Sequence, residues 1–105
     1  MEVAAGAAVE LLKALSNRQR LLILCQLIDR ERSVGELAAF LDVRDSNVSQ
    51  HLSLLRKDGL VAARRDGQTI WYRIESAQAR AVLESLWAVY CQPTDCNPAA
   101  SGQNE

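Results

Sequence analysis

Three cysteines, Cys25, Cys91 and Cys96, and a single histidine, His51, carry all the thiol and imidazole chemistry of this 105-residue chain. A thiolate attacks a peroxide or a persulfide, and a second thiol can resolve the adduct. Cys25 stands in the apolar run of residues 21–25, where a cysteine can also pack as a small, inert hydrophobe. Cys91 abuts a polar, turn-rich segment and Cys96 lies within it. A lone histidine reads as a surface group or a phosphate contact, because a metal site needs three or four ligands. There is no Gly-rich phosphate loop and no His–Cys pair at motif spacing. No enzyme is therefore expected, and neither is a resident metal or cofactor.

A second group of residues suits recognition of a polar surface. Asn47, Ser49, Gln50 and His51 are short hydrogen-bonding side chains that can meet base edges and phosphates. Arg64, Arg65 and Gln68 bracket an Asp-Gly dipeptide, which places them on a hairpin able to reach a nucleic-acid backbone or minor groove. From Arg44 to Arg73 six bases (Arg44, Arg56, Lys57, Arg64, Arg65, Arg73) stand against three acids (Asp45, Asp58, Asp66), while the whole chain carries a formal charge of −1. A local basic surface on an acidic body is compatible with phosphate binding. The same charges also fit a solvated face, so charge alone leaves both readings open.

These residues need a frame. Ala5, Ala8, Val9, Leu12 and Leu15 recur at helical spacing and predict a first helix over residues 3–15. Ser16 or Asn17 can cap a second, running to about residue 28, apolar almost all round and hence central. Ser33 followed by Glu36 is a capping-box pattern that opens a short third helix with Leu37, Ala38 and Leu41 inside. A break at residues 42–44 precedes a fourth helix over 45–57, with Val48, Leu52 and Leu55 inward, which Asp58-Gly59 ends. Residues 60–64 and 69–74 read as strands joined by the turn Arg65-Asp66-Gly67-Gln68. Ser76 caps a last helix reaching about Tyr90.

The expected fold is α+β and mostly helical, a winged helix-turn-helix with five helices and one β-hairpin wing in the order α-α-α-α-β-β-α. Residues 1–91 form one DNA-binding and dimerisation domain, and 92–105 form a C-terminal tail without regular structure. Trp87 and Val89 lie off the Leu83–Leu86–Tyr90 stripe, so a second face of the last helix should meet a partner in a homodimer. No basic leader region and no apolar run of membrane-spanning length is present, so a cytoplasmic location without a membrane partner is expected.

With these motifs in place, the chain resembles the ArsR/SmtB family of repressors. The resemblance rests on Leu12-Lys13-Ala14-Leu15-Ser16-Asn17, Arg20-Leu21-Leu22-Ile23-Leu24 and Ser33-Val34-Gly35-Glu36-Leu37. It continues through Asn47-Val48-Ser49-Gln50-His51-Leu52, Leu54-Leu55-Arg56-Lys57-Asp58-Gly59-Leu60-Val61 and the wing Gly67-Gln68-Thr69-Ile70-Trp71-Tyr72, covering roughly residues 9–92. The family implies a homodimer joined through its first and last helices, repression by binding double-stranded operator DNA, and release by an inducer. By resemblance, Ser46, Asn47, Ser49, Gln50 and His51 fall on the DNA-contacting helix. Arg44 departs from the pattern, since relatives often place a capping Ser there; Asp45 is expected to cap instead, shifting the helix start by one residue.

The family's metal sites use cysteines in the helix before the recognition helix, or His and acidic ligands on the last helix. The first reads Glu36-Leu37-Ala38-Ala39-Phe40-Leu41, without cysteine, and the last has no His and only Glu84 as a carboxylate. Cys25 and Cys91, in the contexts Ile23-Leu24-Cys25 and Val89-Tyr90-Cys91-Gln92, are similar to the pair of the dithiol branch containing HlyU, BigR and SqrR. That resemblance implies a disulfide or polysulfide bridge between them and reactive sulfur or an oxidant as inducer. Cys96 keeps an alternative open, because three converging thiolates suit arsenite.

Overall fold

The computed structural model describes residues 2–90. Along the chain the elements are α1 Glu2–Leu15, α2 Arg18–Gln26, β1 Arg32–Ser33, α3 Val34–Leu41, α4 Asp45–Lys57, β2 Val61–Asp66, β3 Thr69–Ile74 and α5 Ala77–Tyr90. This is the five-helix, winged architecture expected from the sequence, with the helices in the expected order. The structure adds a two-residue strand, β1, which pairs with β3 through Arg32–Tyr72 and Ser33–Trp71 and makes a three-stranded antiparallel sheet in the order β1-β3-β2. Two residues are too few for an alternating pattern to be visible in sequence. The expected tail, residues 92–105, lies outside the described residues, as do Cys91 and Cys96.

Local chemistry sets the helix ends. Asn17, rather than Ser16, caps α2: its Oδ1 accepts from the Arg20 amide at 3.1 Å, while the Ser16 hydroxyl donates back to Lys13 O. Helix α2 stops at Gln26, two residues short of the expected end. Ser33 and Glu36 form the full capping box, with Glu36 N donating to Ser33 Oγ and Ser33 N to Glu36 Oε1, both at 3.2 Å. Ser76 caps α5 through its hydroxyl, which accepts from the Ala79 amide at 3.0 Å.

The end of α4 is a Schellman motif. Gly59 takes φ 78°, Leu60 N donates to Leu55 O at 2.9 Å, and Gly59 N donates to Arg56 O at 3.0 Å. Leu55 and Leu60 are both buried, so the motif carries its usual apolar contact. At the hairpin tip the strands run further than the sequence suggests, to the pair Asp66–Thr69, and only Gly67 and Gln68 remain as the loop. Gly67 has φ 65° and Gln68 is not left-handed, the signature of a type II′ turn. Arg65 and Asp66 therefore belong to the strand, because the twist of a two-residue turn lets pairing continue to its edge.

The core lies where α2, α3, α4, α5 and the base of the hairpin converge. Ile23, Leu24, Leu37, Val48, Leu52, Leu55 and Leu83 have no measurable exposure. Cys25, on α2, is half-buried and packs at the margin of this cluster. Helix α1 contributes little to it, with only Ala14 and Leu15 buried. Arg80 ties α5 to the end of α2 by donating to Ile28 O at 2.7 Å. A Cβ at Gly59 would meet nothing within 4 Å, so its constraint is purely backbone. Replacing Gly59 by Ala should destabilise the domain by about 1–2 kcal/mol, the left-handed penalty of an L-residue, read from the urea midpoint at unchanged m-value.

Candidate nucleic-acid interface

The interface is organised by one row of buried residues. Val48, Leu52 and Leu55 seal the inner face of α4, so the exposed residues of that helix must point the other way. Ser46 and Gln50 stand one turn apart at the centre of the outward face, continued by Ser53 and Lys57, and Asn47 and Ser49 flank them. All six are exposed. Helix α3 and the three-residue turn Asp42–Arg44 hold α4 from behind. Asp42 takes the left-handed φ of 58°, and the Asp42 and Val43 amides donate to Ala39 O and Ala38 O at 3.3 and 3.1 Å.

At the start of α4, Val43, Arg44, Ser46, Asn47 and Gln50 surround an open concavity of about 440 Å3. Arg44 is its cation. The helix begins at Asp45, with Arg44 as N-cap residue and no side-chain cap. Asp45 thus lies in the first turn and does not cap, and the reading frame of the helix is not shifted. A cation at the positive end of a helix dipole, where a capping hydroxyl would satisfy the amides, is unfavourable for the helix itself. The sequence showed Arg44 only as a departure from the capping Ser, and not as a member of the candidate interface.

Two residues from the sequence-derived set are placed differently from the rest. His51 sits on the flank of α4, half-buried, and its Nε2 donates to Gln19 Oε1 on α2 at 3.2 Å. Its Nδ1 is buried and has no hydrogen-bond partner among the described residues. Neither ring nitrogen is turned outward with Gln50. Burial, and then the nearby Arg20, hold the imidazole below its ordinary pKa of 6.5.

On the wing, residues alternate between faces of β2, so Arg64 and Arg65 point to opposite sides of the hairpin. The Arg65 Nε donates to Gly67 O at 3.2 Å, beside exposed Gln68. Arg64 instead meets Glu31, with Nε and Nη2 both 2.8 Å from Oε1. Glu31 is the residue that sequence reading could not connect to this region, lying thirty-three positions away. Among the described residues no group of three or more His, Cys, Asp or Glu side chains is placed to hold a metal ion. No helix among them is long and apolar enough to cross a membrane.

Comparison with known proteins bears on this geometry. Residues 17–63, which span the helix-turn-helix, match the family model described as bacterial regulatory protein, arsR family. The chain is 49% identical over 92 residues to the transcriptional activator HlyU of Vibrio cholerae, covering 88% of this chain and 85% of that protein. The structure of reduced HlyU from V. cholerae superposes with a TM-score of 0.85 over 88% of this chain and 97% of that one. The biofilm growth-associated repressor of Agrobacterium fabrum is 41% identical over 90% of this chain and 81% of its own length. The homodimeric winged helix-turn-helix domain Mb0332 of Mycobacterium bovis is 31% identical, with a TM-score of 0.73 over 84% and 82% of the two chains.

Two outcomes follow from the geometry. Arg44→Ser should stabilise the fold by about 0.5–2 kcal/mol by supplying the missing cap, yet weaken duplex binding and flatten its log–log salt slope by about 0.9; paired urea melts and salt titrations check both signs. His51 is the only histidine. Because its folded pKa lies below the unfolded value, the unfolded chain takes up the proton first as pH falls below about 6.5. Stability should therefore decline on acidification until the folded pKa is passed, and His51→Gln should remove that component from a series of melts between about pH 7.5 and pH 5.

Proposed function

The chain belongs to the ArsR family of bacterial transcriptional regulators, and we propose that within it this protein is a homodimeric, thiol-responsive repressor that binds double-stranded operator DNA. One observation carries the DNA-reading part: a sealed inner row on α4 leaves Ser46, Asn47, Ser49 and Gln50 outward beside the cation of Arg44. These side chains suit base edges and phosphates in a major groove. Arg65 and Gln68 extend the contact from the wing, and His51 supports α4 from its flank through Gln19. The relatives carry both signs of regulation in their names, activator for HlyU and repressor for the A. fabrum protein. Repression is the simpler mode for so small a chain, since occupying an operator excludes other proteins without a further activating surface.

The dimer reading rests on apolar surface that a single chain leaves open. Val3, Val9 and Leu12 on α1 and Trp87, Val89 and Tyr90 on α5 are all at least 36% exposed. An apolar cleft of about 750 Å3, lined by Ala7, Leu11, Leu60 and Val82 among others, opens between α1 and the start of α5. Burying such a surface against a second copy supplies what a small core lacks. Mb0332, described as homodimeric, has the same fold.

The inducer response is assigned to Cys25 and Cys91 of one protomer, by similarity to the dithiol branch. Cys25 is half-buried on α2, the helix that packs behind α4, and Cys91 directly follows Tyr90, the last described residue of α5. A thiolate that takes oxygen from a peroxide becomes a sulfenic acid, and the second thiol closes the disulfide with loss of water. One that takes the outer sulfur of a persulfide becomes a persulfide itself, and the second thiol expels hydrogen sulfide. A bridge from Cys25 on α2 to Cys91, the residue after α5 in sequence, would alter the spacing of the two α4 helices, and duplex half-sites about 34–36 Å apart do not tolerate that change.

The test exposes the full-length protein to persulfide, peroxide and arsenite in parallel, reading intact mass and affinity for a duplex that it selects from random-sequence DNA. Cys25→Ser and Cys91→Ser should each keep the protein on DNA under persulfide or peroxide, and Cys96→Ser should respond like the parent. Loss of response in Cys96→Ser, with arsenite releasing the parent from DNA, would replace this reading by a three-thiolate arsenic site. Light scattering at micromolar concentration should give the mass of a dimer.

A further inference from the structure

The base of the wing is held to the body by the pairing of β3 with β1, and its outer half by a two-point ion pair. The guanidinium of Arg64 on β2 engages Glu31 through Nε, 2.8 and 3.1 Å from the two carboxylate oxygens, and through Nη2, 2.8 Å from Oε1. A two-point guanidinium–carboxylate contact fixes direction as well as distance. Its hydrogen bond to Arg64 holds the Glu31 carboxyl below its usual pKa, and Glu31 in turn raises that of Arg64. Asp66 lies a further 3.9 Å from Nη1. The positive charge of Arg64 is thus matched by carboxylates within the protein.

Glu31 does not sit on a loose loop. The next residue, Arg32, donates from Nε to Gln26 O at 2.7 Å and meets Asp29 at 3.3 Å, which fastens the segment to the end of α2. Arg32 and Ser33 then pair with β3, and Ser33 closes the capping box of α3. The carboxylate therefore projects from a stretch fixed on both sides, just before α3 in the chain. Arg65, one residue on, points to the opposite face of β2, and among the described residues its guanidinium makes only the local hydrogen bond to Gly67 O.

From this arrangement we infer that Glu31 is a positioning residue for DNA binding: through Arg64 it sets the angle to α4 of the part of the wing beyond the β1 pairs, and Arg65 alone of the two arginines delivers the wing's contact to phosphate. The inference rests on the DNA-reading role proposed above. The pair is half-exposed, with side-chain exposures of 49% for Arg64 and 28% for Glu31, so its contribution to overall stability is small. Its effect is on geometry. Breaking it leaves the fold and the β1–β3 pairing in place and lets the hairpin beyond those pairs sample other angles, so Arg65 reaches its phosphate in only part of the population.

The experiment uses the full-length protein and a duplex selected by the parent from random-sequence DNA, with Kd measured across a salt series and melting followed for every variant. Glu31→Gln and Arg64→Gln should each weaken binding by roughly 2- to 30-fold, the range for residues acting through a neighbouring element. The double variant should be no weaker than either single, the mark of one shared interaction. The log–log salt slope should stay at the parental value in all three, while Arg65→Gln should flatten it by about 0.9. The exchanged pair, Glu31→Arg with Arg64→Glu, should recover part of the lost affinity. The opposite pattern would overturn the inference: tighter binding by Glu31→Gln, with weaker binding and a flatter slope in Arg64→Gln, would make Arg64 a phosphate contact that Glu31 masks. Parental affinity in Glu31→Gln would overturn it as well. A parent that selects no duplex would fail at the earlier, DNA-reading step and take this inference with it.

Discussion

The candidate interface depends on the rotation of α4 about its own axis. Val48, Leu52 and Leu55 are sealed among Ile23, Leu24 and Leu37. Each such side chain contributes about 1.5–3 kcal/mol when removed from water, whereas exposed ion pairs contribute far less. Turning the helix by one position, about 100°, would bring Ser49 to the place of Val48 and lift apolar groups into solvent. The apolar core therefore decides which polar residues are available to a ligand. The candidate recognition residues occupy positions that packing has no use for.

A second constraint sets how α4 stands relative to α3. The capping box at Ser33 fixes where α3 starts, and the left-handed Asp42 fixes where it stops. A non-glycine residue in that conformation carries strain, tolerated here because Asp42 N and Val43 N satisfy carbonyls at the end of α3. Arg44 then leaves the start of α4 without a side-chain cap. Local rules are obeyed along most of this chain and broken at these two neighbouring positions. Such departures collect where function competes with stability.

Electrostatics follow from the fold more than from composition. Arg64 and Arg65 are adjacent in sequence and count equally toward a basic patch, yet the strand sends them to opposite faces. One meets a carboxylate contributed from the far side of the helix-turn-helix, and the other does not. His51 loses its outward role in a similar way, since Gln19 on α2 takes its Nε2 and the helix flank buries its Nδ1. The basic surface is smaller, and more directional, than a count of charges implies.

Periodicity was enough to place the five helices, the inner rows and the hairpin, because amphipathic spacing and caps such as Ser33–Glu36 are local properties of the chain. It also placed Asn47, Ser49 and Gln50 outward, since their directions follow from the inner row of the same helix, while Ser46 came from the family resemblance and His51 proved to be half-buried on the flank. What the sequence left open concerned pairs distant along the chain. The strand β1, the Gln19–His51 bond and the Glu31–Arg64 contact each join segments with no local sign of one another. The continuation of pairing to Asp66–Thr69, which leaves only Gly67 and Gln68 as the turn, was visible only in the folded hairpin. Sequence fixes the direction of a side chain on its own element, because backbone geometry is periodic; only tertiary packing decides which direction ends at solvent and which ends at another charge.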